Sequence, residues 1–179
     1  MAMIRFHQEG KYMKLVVFNV GSALCVYAEH QTTRIVFDIG KGNNFSPVND
    51  FLLPLYEKRG EHRLKNRNNR YGISQLIVSH PHKDHISDIQ EFDKNFYAHL
   101  LTTPNSKSPN GNPQNINWRK ITTPDDPDVK YLKRMKIGRN LPLRSFDSEH
   151  LKIGYLWPLD VENNSELLNE SYTNNVSIV

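Results

Sequence analysis

His80-Pro81-His82-Lys83-Asp84-His85 places three imidazoles and a carboxylate within six residues. Crowding such groups costs solvation and charge repulsion unless a cation compensates, and they are the ligands that borderline divalent metals accept. The competing reading is a solvated polar loop that happens to be rich in histidine. The flanks favour the metal. Gln75-Leu76-Ile77-Val78-Ser79 is a short apolar run whose length and β-branched residues suit a buried strand. Ile86, Ile89 and Phe92 then recur at three-residue spacing, as on one face of a helix. The ligands therefore fall where the carboxyl end of a strand gives way to a helix, the place where crevices form in layered α/β folds.

Alternate residues of an extended segment share a face, so His80 and His82 can chelate one ion together. Asp84 and His85, displaced by the turn into the helix, can serve a second. Two metals about 3.5–4 Å apart can clamp the attacking and leaving oxygens of a displacement. This favours a hydrolytic centre, with Asp84 and His85 as the expected catalytic pair and two divalent ions as cofactors, zinc first and manganese second. A structural zinc would more usually recruit cysteines, and the chain has only Cys25.

Ser79-His80-Pro81-His82-Lys83-Asp84-His85-Ile86 resembles the His-x-His-x-Asp-His motif of the metallo-β-lactamase superfamily. Within it, the chain is most similar to the hydrolase domain of ComEC-type competence proteins. Phe18-Asn19-Val20-Gly21-Ser22-Ala23-Leu24 resembles the family's opening strand and turn, and Arg34-Ile35-Val36-Phe37-Asp38-Ile39-Gly40 its next strand, ending in Asp-x-Gly. Asn174-Asn175-Val176-Ser177-Ile178-Val179 resembles the Asn-Asn-x-Ser-Leu-Val segment of competence-type members. The resemblance implies an αββα sandwich of α/β (α+β) class. It also implies a metal-dependent phosphodiesterase or nuclease acting on DNA or RNA. Two features depart from the pattern. Ser87-Asp88 stands where Gly-Gly is common, and the family's later Gly-Asp turn and final histidine do not occur before Val179. The expectation is one domain over residues 1–179 that is a piece of a longer protein. It would hold the N-terminal half to two-thirds of the sandwich, with a C-terminal segment or a partner chain completing the site.

Composition fits this expectation. The chain has 179 residues, enough for one substantial core. Hydrophobic content of 37% with a mean hydropathy of −0.63 points to long polar loops. No run reaches the eighteen or so apolar residues of a membrane span, and residues 1–14 lack the apolar stretch of a signal peptide. One cysteine excludes an intrachain disulfide framework and suits a reducing cytoplasm. Strands are expected over 14–20, 23–29 and 34–39 as an antiparallel meander. A helix is expected over 49–58, capped by Asn49 or Asp50, with Phe51, Leu52, Leu55 and Tyr56 inward. The motif strand and helix follow, then a strand over 97–102 and a polar loop over 103–127. A short basic helix over 128–137 and strands over 143–146 and 151–157 complete the layout.

Charge supplies a second clue. The net charge is +4, and the basic residues are clustered. Residues 59–70 hold Arg59, Arg63, Lys65, Arg67 and Arg70 against Glu61 alone. Residues 130–144 hold Lys130, Lys133, Arg134, Lys136, Arg139 and Arg144 with no acid. Such clusters attract polyanions by counterion release, with Tyr71, Trp118 and Tyr131 near enough in sequence to stack on bases. An ordinary solvated face is the alternative. Asp38 is placed either to orient a ligand histidine from behind or to cap the turn at Gly40. His99 and His150 read as surface or packed histidines. A small ester or lactam hydrolase on the same scaffold, and a nucleic-acid- or protein-binding module with an incomplete metal site, are the other two functional classes.

Overall fold

The computed structural model describes residues 2–8, 11–79, 81–102, 125–135, 139–141, 146–147 and 152–153. Seven strands form one mixed sheet in chain order. β1 (Ala2–Gln8), β2 (Lys11–Val17), β3 (Val26–His30) and β4 (Thr33–Phe37) pair antiparallel in succession. β5 (Tyr71–Ile77), β6 (Phe96–Thr102) and β7 (Arg139–Leu141) then continue the sheet in parallel from β4. A separate two-stranded ladder joins β8 (Phe146–Asp147) to β9 (Lys152–Ile153). The class is mixed α/β, and the expected meander is present.

Its boundaries differ from the sequence reading in three places. A hairpin strand, β1, precedes the expected first strand; the run Ile4-Arg5-Phe6-His7 carries the alternation that could have signalled it. β2 ends at Val17 and β3 begins only at Val26, because residues 18–25 leave the ladder to form a wide loop. The helix expected over 49–58 begins earlier, as a π-helical turn (Pro47–Leu52) that runs into α1 (Leu53–Lys58). Its cap is Ser46, neither Asn49 nor Asp50: the Ser46 side chain accepts from Asn49 N, and Pro47 occupies the first turn, where a missing N–H costs nothing. Leu52 and Tyr56 are buried as expected, with Phe51 and Leu55 partly buried beside them.

The motif region folds as two short helices where one was expected. α2 (Lys83–Ile86) stops at Ser87, and α3 (Ile89–Asn95) restarts at Asp88. Ile86, Ile89 and Phe92 are all fully buried. Each contributes about 1.5–3 kcal/mol of burial, so the motif turn is anchored to the core from its C-terminal side. α4 (Pro127–Arg134) is the expected basic helix, and it packs on both α2 and α3 through Val129 and Leu132.

The main core lies between the sheet and these helices, with Tyr27, Val36, Leu76, Ile86, Phe92 and Phe96 at its centre. Ala28, Ile35 and Ile77 form a second buried cluster with Leu15 and Phe37 against it. Adjacent residues of one strand, Ile35 and Val36 or Leu76 and Ile77, thus join different clusters. The central strands are apolar on both faces, as strands covered on both sides must be. No helix among the described residues is long and apolar enough to cross a membrane.

Candidate metal centre

Three chain segments meet beyond the carboxyl end of β5. The first is the loop over 18–25. Gly21, at φ +74°, allows its turn, Phe18 N donates to Cys25 O at 3.1 Å, and Leu24 N reaches out to the Asp84 carbonyl at 3.0 Å. The second segment follows β4. Asp38 N donates to Ile77 O at 2.7 Å, Ile39 N to His85 O at 2.7 Å, and Gly40 N to Leu24 O at 2.9 Å. The third is the motif turn, closed by His85 N on His82 O at 2.9 Å and tied back by Asp88 N on Ile39 O at 2.8 Å. The Asp84 and His85 carbonyls of a four-residue helix would otherwise lack partners. Here Leu24 and Ile39 supply them.

Gly40 is what lets these segments approach. A Cβ there would lie 1.9 Å from the Asp84 carbonyl oxygen and 2.9 Å from the Ala23 Cβ. The glycine of the Asp-x-Gly segment is therefore required by proximity.

Asp38 sits directly behind the motif with 1% of its surface exposed. Its backbone is left-handed, φ +52°, a conformation that a short polar side chain tolerates. Oδ1 accepts from Ser79 N at 2.7 Å, and Oδ2 accepts from Ser79 Oγ at 2.7 Å. The same Oδ2 lies 2.7 Å from His85 Nδ1. Of the two roles open to Asp38 on sequence grounds, the geometry shows the contact to histidine. A carboxylate facing Nδ1 places the proton there and leaves Nε2 unprotonated in the neutral ring. That Nε2 is 3.3 Å from Asp84 Oδ2. Two ligands at 2.0–2.1 Å from a tetrahedral ion stand about 3.3–3.4 Å apart, so this donor pair fits a metal of zinc-like size.

The electrostatics are divided. Burial alone would pull the His85 pKa down, but the hydrogen bond to Asp38 and the charges of Asp38 and Asp84 outweigh it and the pKa is raised. His82, extended at ψ 154°, has its pKa lowered, first by burial; the charges of Asp84 and His85 act on it in opposite directions. His82, Asp84 and His85 thus occupy one electrostatic neighbourhood. Among the described residues, which do not include His80, no group of three or more His, Cys, Asp or Glu side chains gathers closely enough to hold a metal. The structure brings Asp84 and His85 together with Asp38 behind them. The expected pairing of His80 with His82 on one ion lies outside the described residues.

Two participants escape a sequence reading. Ser79 bridges Asp38 and His85, its Oγ 3.1 Å from Nδ1. Its only signal was its place immediately before the motif. Asp88 is buried, and its Oδ2 accepts from Ser46 Oγ at 2.6 Å and Val48 N at 3.1 Å. It pins the cap of the π-helical turn to the start of α3. Oδ1 has no hydrogen-bond partner among the described residues; Lys41 Nζ stands 3.8 Å away. Burial raises the Asp88 pKa against those donors and Lys41. Ser87 and Asp88 therefore serve packing, with Ser87 Oγ accepting from Lys41 N at 2.9 Å.

The two basic clusters separate. Arg63, Lys65, Arg67 and Arg70 precede β5, at the end opposite the motif and roughly 20 Å away along a seven-residue strand. Most of their charge is already engaged. Arg63 stacks over Tyr71 and donates to Asn69 O, Arg67 stacks over Tyr97, and Arg70 pairs with Asp93 and donates to Arg67 O. Arg59 pairs with Glu29. Tyr71 is buried beneath Arg63 and among Tyr56 and Phe96, so it is a core ring and not a platform for a base. His99 is an exposed residue beside Tyr97, on the sheet and away from the motif. In the second cluster, Lys130, Lys133 and Arg134 lie on α4, beside α2, and Arg139 on β7. Tyr131 is partly buried, its hydroxyl on Asp93 Oδ2 at 3.0 Å. Lys136, Trp118, His150, residues 103–124 and the segment 174–179 lie outside the described residues.

Comparison with protein-family models, curated proteins and solved structures finds no match to this chain.

Proposed function

We propose that this chain carries the metal-binding half of a metallo-β-lactamase-type hydrolase, a phosphodiesterase acting on nucleic acid. The observation that carries the reading is the relay Asp38–His85–Asp84 at the carboxyl end of a central strand. A buried carboxylate fixes one imidazole nitrogen, and the other nitrogen stands one ligand–ligand distance from a second donor. An isolated surface histidine needs no such backing. A sheet apolar on both faces, as half of an αββα sandwich would be, supports the same reading.

His80 and His82 would hold one ion, Asp84 and His85 the other. Bound there, divalent metal would supply Lewis acidity toward a phosphoryl oxygen and a nucleophilic water at neutral pH. The chain's own residues do the positioning. Asp38 and Ser79 hold the His85 ring in one orientation and one tautomer. Leu24 and Ile39 hold the Asp84 and His85 main chain, so the donor atoms do not have to be ordered when a ligand arrives. Gly40 keeps the loop over 38–42 in contact with the motif turn.

The test is cleavage of labelled single- and double-stranded DNA and RNA by the chain in its native full-length context, with zinc or manganese, beside a His82→Ala/Asp84→Ala double variant. Metal-dependent cleavage lost in the variant is the expected result. Cleavage that survives a chelator or persists in the double variant would sink the proposal.

A further inference from the structure

We infer that the exposed face of α4 is the nucleic-acid grip of this site, and that the cluster over residues 59–70 is a structural clasp with no part in binding. This rests on the reading of the motif as a nucleic-acid hydrolase centre and names where its substrate lies. α4 is rotationally fixed. Val129 and Leu132 are buried, Tyr131 Oη donates to Asp93 Oδ2 at 3.0 Å, and Gln90 Nε2 donates to Asp128 Oδ1 at 2.9 Å. With those residues turned inward, Lys130 and Arg134, four apart, share the exposed face about 6 Å from each other along the axis. Arg134 has no acidic partner among the described residues, and Lys130 has only the exposed Asp125 at 2.9 Å, an ion pair of little strength in water.

Position distinguishes this cluster from the other. α4 packs directly on α2, which carries Asp84 and His85, and exposed Lys83 on α2 also has no acidic partner among the described residues. A phosphodiester strand lying along α4 would thus run past the motif turn beside Lys130, Arg134 and Lys83, with Asp126 taken up by the helix cap and Asp128 by Gln90. The earlier cluster offers no such track. Its guanidinium groups cover Tyr71 and Tyr97 and pair with Asp93 and Glu29, at the far end of β5. Arg59 and Arg70, matched by Glu29 and Asp93, release few counterions when a polyanion approaches, and Arg63 and Arg67 are held on the buried Tyr71 and Tyr97 rings.

Binding of a labelled twenty-nucleotide single-stranded DNA, followed by fluorescence anisotropy in chelator across 50–200 mM salt, tests this. Two variants are compared in the full-length protein: Lys130→Ser/Arg134→Ser on α4, and Lys58→Ser/Lys65→Ser, both exposed, at the far end. The α4 variant should weaken binding about tenfold and lower the salt slope by about 1.4, the share of two single-strand phosphate contacts. The far-end variant should bind like the parent. An unchanged Kd and slope in the α4 variant, equal weakening in both variants, or no binding by the parent would overturn the inference. Because the assay contains no divalent metal, loss of the hydrolase reading would appear as absent cleavage with this difference in binding intact.

Discussion

Replacing Gly40 by alanine probes how the motif is held, because the effect is steric and local. The new Cβ would meet the Asp84 carbonyl oxygen at 1.9 Å, the Asp84 carbonyl carbon at 2.9 Å and the Ala23 Cβ at 2.9 Å. Relief requires the motif turn and the loop over 38–42 to separate by about 1.3 Å to reach van der Waals contact near 3.2 Å, since backbone, unlike a side-chain tip, cannot swing aside. That movement stretches the Leu24 N to Asp84 O, Ile39 N to His85 O and Gly40 N to Leu24 O bonds together. Overpacking costs about 1–3 kcal/mol, and a weakened hydrogen bond about 0.5–1.5 kcal/mol, so a loss of roughly 2–4 kcal/mol is expected. Urea unfolding with the slope held constant measures it. The same displacement would move Asp84 and His85 by about 1 Å, enough for a roughly hundredfold fall in any turnover the site supports. Gly42→Ala is the control. Its Cβ would be 3.4 Å from the nearest atom, Val20 Cα, and its stability should change by less than about 1 kcal/mol in either direction. A Gly40→Ala protein as stable as the parent would refute the account of how the three segments are joined.

Other substitutions follow from the same contacts. Asp38→Asn keeps a residue suited to φ +52° but removes the carboxylate facing His85 Nδ1, and metal affinity measured by calorimetry should fall about 10–100-fold. The raised His85 pKa gives a sign for pH. In metal-free protein its stabilising contribution is complete below the ordinary histidine value of about 6.5 and is lost as pH rises through the higher folded value. The parent should therefore lose stability relative to Asp38→Asn across that window, seen as converging melting temperatures; divergence would refute it. Asp88→Ala strips acceptors from Ser46 Oγ and Val48 N and should cost about 1–3 kcal/mol. Asp88→Asn keeps an acceptor and removes a charge that burial disfavours, so it should be neutral or stabilising at pH 7. Arg70→Ala, which loses Asp93, Tyr97 and the Arg67 carbonyl, should destabilise by about 1–3 kcal/mol, whereas Lys65→Ala should stay within about 0.5 kcal/mol. Equal effects would remove the distinction between clasp and free surface.

What the sequence revealed and what it hid follow a physical division. Residues 75–79 and the Ile86/Ile89/Phe92 spacing gave the strand-to-helix junction because burial imposes a period on the chain. Residues 14–39 gave the antiparallel meander for the same reason. The wide loop over 18–25 was hidden because Phe18, Val20 and Cys25 are buried in it, so an apolar run read as strand. The cap at Ser46 was legible in principle, since its Oγ accepts from Asn49 N and Pro47 follows it; what the sequence hid is the Asp88 carboxylate that takes the Ser46 hydroxyl from 42 residues away. Asp38 was legible as a residue with two possible jobs, and only its 2.7 Å approach to His85 shows which contact it makes. The charge clusters illustrate the limit most plainly. Arg63, Arg67 and Arg70 look alike in composition to Lys130 and Arg134, but stacking on Tyr71 and Tyr97 and pairing with Asp93 depend on tertiary neighbours.

The way the motif is held also separates fold from chemistry. Among the described residues, the turn is held from outside by main chain and by Asp38 and Ser79: Leu24 and Ile39 grip the carbonyls of Asp84 and His85, Ile39 accepts from Asp88 N, and Asp38 and Ser79 face His85 Nδ1. The Asp84 side chain is half exposed, and among the described residues its contact is with His85 Nε2. The Asp84→Ala protein should therefore unfold within about 1 kcal/mol of the parent while losing metal-dependent heat of binding. Gly40→Ala should do the reverse in kind, lowering stability first and ligand geometry as a consequence. If that variant were instead to unfold as readily as Gly40→Ala, Asp84 would be part of the scaffold, and the case for a site prepared in advance of its metal would fail.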